Sequence, residues 1–254
     1  MQKDFTVSSL RFNLKTTLRE ISVWFCFMKI IDFHSHILPK ADHGSDNIET
    51  SVFQIKHAVS CGIDTIIATP HFYPHRHTVE QFLECRARAY DELSEAVRTN
   101  GYNIDIISGA EVLICDGLDR LPGLSDLCIG NTKTLLLELP FSDFHNDFPE
   151  VVSRLISGGF GVVLAHADRY SPVNVEKMIE AGATVQLNVA ALSKLFLNDA
   201  CLGWIERGLV VGIGSDIHQR DVSLFKKFRK VRRRFGPHFE QIMIKSSQIL
   251  KSHT

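Results

Sequence analysis

The chain lacks a charge bias: 28 Lys and Arg stand against 29 Asp and Glu, for a formal net charge of -1. That argues against a general electrostatic grip on nucleic acid or on anionic membrane. It also lacks any Cys-x-x-Cys, and its six cysteines fall at irregular spacings. A zinc ribbon and a disulfide framework are thereby disfavoured, and a reducing, cytoplasmic setting is expected. The apolar stretch 21–27 is too short to span a bilayer and has no small-residue cleavage site, so neither an integral membrane segment nor a signal peptide is expected. Internal repeats, low-complexity linkers and a second-domain break are absent too. What remains is a chain of 254 residues, 44% hydrophobic and 22% charged, the composition of an ordinary globular protein.

Residues 1–27 do not resemble the rest of the chain, and Met28 stands directly before the first strand. They read as an N-terminal extension, with 28–254 as a single catalytic domain. From Lys29 onward strands and helices alternate. Strand patterns occur at 30–36, 64–69, 104–107, 135–139, 161–165, 184–189 and 209–213. Helical spacing occupies 47–61, with Ile48, Val52, Ile55 and Val59 on one face. A second helix begins at Thr78, where Gln81 completes a capping box, and closes before Gly101. Val151, Val152, Leu155 and Ile156 mark a third, and Ser171-Pro172 opens a fourth. Seven strands alternating with helices predict an α/β fold with a barrel-like or doubly wound parallel sheet.

Residues able to bind metal recur at one structural position, the C-terminal end of a strand. His34 and His36 end the first strand, two residues apart and therefore on one face. His71 follows the second, Glu111 the third, His166 the fifth, Asp216 and His218 the seventh. In a parallel β/α barrel these ends converge on one mouth. A nitrogen and carboxylate set without thiolate suits manganese, iron, zinc or magnesium. Seven ligands exceed the need of one ion, so two or three divalent ions are expected, with Glu111 as the bridge. Such a centre suits phosphoester hydrolysis. Arg169, three residues after His166, is placed to clamp phosphate oxygens, with Arg220 as a second candidate. Phe72, Tyr73, Phe141 and Phe144 are candidates for an aromatic entrance, and 75–77 adds positive charge beside it.

Two features read differently. Cys201 and Arg207 have the Cys-x5-Arg spacing of cysteine-dependent phosphatases, but Leu202, Trp204 and Ile205 make that stretch a packed helix. No cysteinyl intermediate is expected. The basic run 226–234 is read as a solvated helix face.

The ordered motifs His34-Ser35-His36, Thr69-Pro70-His71, Gly109-Ala110-Glu111, His166-Ala167-Asp168-Arg169 and Ser215-Asp216-Ile217-His218 resemble the polymerase and histidinol phosphatase (PHP) superfamily. Within it the chain is similar to the capsule-type (CpsB) bacterial tyrosine-protein phosphatases. The resemblance implies a distorted seven-stranded barrel and a manganese-supported three-metal site. It also implies a catalytic role for Arg169, Glu111 and His166, substrate contacts from Arg169, Arg220 and Tyr73, and hydrolysis by activated water. The implied partner is a phosphotyrosyl autokinase, a polysaccharide co-polymerase of capsule or exopolysaccharide production. One departure stands out: the family reads Asp-Asp-Gly where this chain has Asp42-His43-Gly44, so His43 or Asp42 is the expected further ligand. Two rivals remain, a small-molecule phosphatase such as histidinol phosphatase, and a catalytically weak regulatory metal-binding protein.

Overall fold

The computed structural model describes residues 29–140 and 144–251. The extension 1–27, Met28 and the entrance candidate Phe141 lie outside the described residues. All pairing between named strands is parallel. The strands are β1 (Ile31–Ser35), β2 (Thr65–Ala68), β3 (His71–Phe72), β4 (Asp105–Ser108), β5 (Glu111–Leu113), β6 (Thr134–Glu138), β7 (Gly161–Leu164), β8 (Thr184–Asn188) and β9 (Val210–Gly214). One sheet has the order β1-β2-β4 and the other β3-β5-β6-β7-β8-β9.

Among the described residues nine short strands thus stand where seven were expected. The difference lies at two breaks. Pro70, which has no N–H to donate, separates β2 from β3 after Thr69, and Gly109-Ala110 separate β4 from β5. The two backbone segments stay paired through the break, with Gly109 N–H donating to Ala68 O at 2.8 Å and Glu111 N–H to Pro70 O at 3.0 Å. Each therefore serves one sheet before its break and the other after it. The other ends of the two sheets meet where Asp216 N–H donates to His34 O (2.8 Å) and Ser215 N–H to Asp32 Oδ1 (2.7 Å).

Helices cover most of the strands, and among the named strands only β4 has no buried position. β2 and β6 are buried at every position, as parallel strands in α/β folds are. The first covering helix, α1 (Ile48–Ser60), starts at Asn47, whose side chain accepts from Thr50 N–H at 2.8 Å. Such a cap contributes about 1 kcal/mol. The expected capping box is present in α2 (Val79–Thr99), with Thr78 and Gln81 bonding reciprocally at 3.2 and 3.3 Å. The remaining helices are α3 (Phe148–Ser157), α4 (Pro172–Glu180), α5 (Val189–Leu192), α6 (Asp199–Glu206), α7 (Ser223–Phe235) and α8 (Pro237–Lys251). Among the described residues no helix is long and apolar enough to cross a membrane.

Candidate metal centre

At the C-terminal end of β1 the alternation of side chains brings His34 and His36 together, both buried, with their Nε2 atoms 3.0 Å apart. Their other nitrogens are committed. His34 Nδ1 lies 3.1 Å from Gln186 Oε1, and His36 Nδ1 lies 2.6 Å from Asp42 Oδ2. An amide oxygen and a carboxylate only accept, so each Nδ1 carries a proton, and a ring with no second proton aims an Nε2 lone pair at the other. Two lone pairs at that distance repel unless a cation or a further proton lies between them. Two donors bound at about 2.1 Å to one ion and at right angles stand about 3.0 Å apart, which is the observed separation.

Glu111, the first residue of β5, is the hub. Its Oε2 lies 2.9 Å from His71 Nδ1, 3.2 Å from His34 Nε2 and 3.3 Å from His36 Nε2, and its Oε1 lies 2.6 Å from His166 Nε2. Asp216 presents Oδ1 at 3.4 Å from His36 Nε2, while its Oδ2 accepts from Asn188 Nδ2 at 3.1 Å and from Arg169. His218 donates Nδ1–H to the Asp216 carbonyl at 3.0 Å, leaving a buried Nε2 without a hydrogen-bond partner. Glu111 Oε2 and Glu138 Oε2 are likewise buried and lack a hydrogen bond. Orphaned acceptors converging at one place are costly, and divalent cations satisfy them.

Three overlapping groups have ligand atoms within 4.8 Å of one another: His36, His71 and His218; His34, His36 and Glu111; and His71, Glu111 and Glu138. Glu138 escaped the reading of the sequence. It ends the apolar strand β6 (Thr134–Glu138) and is almost fully buried; a lone carboxylate closing an apolar run was the available signal. Gln186 and Asn188 of β8 were missed as well. Gln186 Oε1 also accepts from His166 N–H at 2.6 Å, and its Nε2 donates to Asn188 Oδ1 at 3.0 Å.

Two of the residues meeting here have left-handed backbones, His166 (φ 32) and Asp216 (φ 52). For non-glycine residues that conformation is strained, and such strain clusters at functional sites.

The electrostatics are those of cation-binding residues balanced by protons. Burial lowers the affinity of His71 for a proton, but Glu111 and Glu138 outweigh it and push the group up to about 9. His36 is raised against the same burial by Asp216 and Asp42. Burial and the neighbouring His36 charge push His218 down to about 4, so its ring is neutral. Burial opposes ionisation of Asp216, yet the imidazoles and Arg169 hold its carboxyl well below the usual range.

The remaining sequence candidates fall into two sets. Asp42 is tied down on both oxygens: Oδ2 holds His36 and the His71 N–H (3.1 Å), and Oδ1 accepts from Gly44 N–H (2.8 Å). His43 is exposed, with its ring 4.9 Å from that of His71 and 4.6 Å from that of His218, and it belongs to none of the three groups. Tyr73 stacks on His71 at 5.2 Å, at the rim. Arg220 instead lies over Phe53 of α1 at 5.1 Å. Phe72 is not an entrance residue: it is fully buried and packs edge-on against Phe82. Phe144 packs partly buried against the core and edge-on to Phe148. Cys201 is buried in α6, which pushes its thiol up to about 11, the wrong direction for a nucleophile.

The sequence model of the capsular polysaccharide synthesis family CpsB/CapC matches residues 30–251, a span that includes every residue of this centre. The chain belongs to the CpsB/CapC family. Tyrosine-protein phosphatase YwqE of Bacillus subtilis is 26% identical over 234 residues, covering 87% of this chain and 91% of its own. Tyrosine-protein phosphatase CpsB of Streptococcus agalactiae serotype V is 26% identical over 244 residues, covering 88% and 99%. A crystal structure from work on YwqE of Bacillus subtilis and CpsB of Streptococcus pneumoniae, described as unique metal-dependent tyrosine phosphatases, superposes with a TM-score of 0.74 at 24% identity. It covers 89% of this chain and 96% of that one. This CpsB/CapC chain thus shares their fold along nearly its whole described length.

Proposed function

We propose that this CpsB/CapC chain is a metal-dependent protein-tyrosine phosphatase acting in the cytoplasm on phosphotyrosine of an autokinase of capsule or exopolysaccharide production. The observation that carries the reading is the facing pair of His34 and His36 Nε2 atoms, 3.0 Å apart over the Glu111 carboxylate. His34, His36, His71, Glu111, Glu138, His166, Asp216 and His218 would hold two or three divalent ions, manganese first, with Glu111 shared between them. When bound, such ions supply charge for the phosphoryl oxygens and make a water acidic enough to attack. The nine short strands fit a distorted seven-stave barrel in which β2 with β3, and β4 with β5, are each one interrupted stave.

The protein's own groups supply the rest. Arg169, with 42% of its side chain exposed beside Asp216, is the cation positioned to bind phosphoryl oxygens and to offset charge gathering on them. Gln186 and Asp42 keep the protons of His34 and His36 on Nδ1. Tyr73, flat against His71 at the rim, offers a face to an incoming phenyl ring. His166 and Glu111, paired at 2.6 Å, keep each other oriented.

Turnover of p-nitrophenyl phosphate and of a phosphotyrosyl peptide, with manganese and after chelation, tests the proposal. Activity should vanish with the metal, return on its addition, and fall at least a hundredfold in Arg169→Ala. Full turnover by the chelated protein sinks it. Faster hydrolysis of histidinol phosphate than of the peptide would place the same centre in a small-molecule enzyme.

A further inference from the structure

Large apolar side chains seldom stand free in water, and two adjacent ones do here. Leu195 and Phe196, between α5 and α6, are 81% and 86% exposed. Their loop is held by a guanidinium: Arg234, near the end of α7, donates to the carbonyls of Leu192 (3.2 Å), Lys194 and Leu195 (3.2 Å). The tip is thus presented by structure.

Beside it lies a cavity of about 580 Å³ lined by Lys194, Leu195, Lys230, Arg233 and Arg234, with no carboxylate among them. The cations continue along α7. Leu224, Phe225, Phe228 and Val231 face the core, and the exposed side carries Lys226, Lys230 and Arg233 at i, i+4 and i+7. In a chain of net charge -1, this helix face therefore presents a local cluster of cations next to the most exposed apolar pair among the described residues.

We propose that this surface docks on an anionic membrane, with Leu195 and Phe196 entering the interface and Lys194, Lys226, Lys230 and Arg233 meeting acidic headgroups. The shape decides between occupants. A protruding apolar pair needs a matching pocket in a protein partner, whereas the lipid interface accepts it without one. The cations flanking it complement a negative leaflet surface. This describes a peripheral contact and needs no spanning helix. Leu195 is seven residues from Asn188, whose amide binds Asp216, so at most about 25 Å of chain separates the wedge from the metal centre.

The test is partition of the full chain, by vesicle sedimentation, onto phosphatidylcholine alone and onto phosphatidylcholine with phosphatidylserine. Binding is expected only with phosphatidylserine and weakens as salt rises. Lys230→Gln with Arg233→Gln should lower it about fivefold per cation, and Leu195→Ser with Phe196→Ser about tenfold or more. Unchanged circular dichroism melts would show that the variants fold, independently of any phosphatase activity. Equal partition onto both vesicles, or variants that bind like the parent, overturns the proposal. So does a chain that ignores vesicles and binds poly-glutamate through the same cations, which would make the partner an acidic protein segment.

Discussion

Asp42 and His43 are neighbours in sequence and stand in different positions relative to the centre. Asp42 is buried against His36 and fixes which of its nitrogens carries the proton; His43 is exposed and lays its ring near those of His71 and His218. A carboxylate that orients a metal-binding imidazole typically accounts for 10- to 100-fold in affinity, roughly. Asp42→Asn should therefore weaken metal binding by about that factor, read by titration calorimetry. His43→Ala should leave the number of bound ions unchanged by elemental analysis. Loss of one ion from His43→Ala would make His43 a ligand and reverse the assignment. The two could not be told apart in sequence, because which of two adjacent residues turns inward depends on backbone contacts such as that of Gly44 N–H to Asp42 Oδ1.

Elements explain which parts of the centre were readable. His34 and His36 were, because a strand's alternation alone puts them on one face. Glu111, His166 and Asp216 were, because each directly follows an apolar run that ends in a breaker or small residue. Glu138, Gln186 and Asn188 belong to β6 and β8, where a polar residue in a strand pattern reads as facing solvent, although these three are buried. β3 and β5 were missed because two or three residues carry no periodicity, and Pro70 and Gly109 read as strand ends although the pairing runs on past them. Close packing of β9 on β1 yields a prediction at this scale. A Cβ on Gly214 would lie 2.6 Å from His34 Cβ and 2.7 Å from Gln186 Nε2, too close for either to stay in place. Gly214→Ala should cost about 1–3 kcal/mol in urea unfolding and weaken metal binding with it. Gly203→Ala in α6, with nothing within 4 Å, should stabilise by about 0.5–1 kcal/mol. Equal behaviour of the two variants would show that the contact at Gly214 relaxes freely.

For the molecule as a whole, the centre couples stability to metal and to pH. Four carboxylates, Asp42, Glu111, Glu138 and Asp216, face the imidazoles in a nearly water-free space. Without ions, protons balance that charge. His71 shows the sense: its metal-free folded value is about 9, against 6.5 for the ordinary group. Its contribution to the metal-free fold is therefore fully present below 6.5 and is lost as pH rises through about 9. A metal ion must displace such protons, so its apparent affinity climbs over the same window and levels off above it. Loading at a hundred times the dissociation constant adds about 2.7 kcal/mol of stability. Chelation should consequently lower the melting temperature more at about pH 9 than at about pH 6, because the protons that replace the ions at low pH have left at high pH. Thermal melts with and without chelator at the two pH values decide it; a larger drop at the lower pH would mean that these imidazoles do not share their positions with metal.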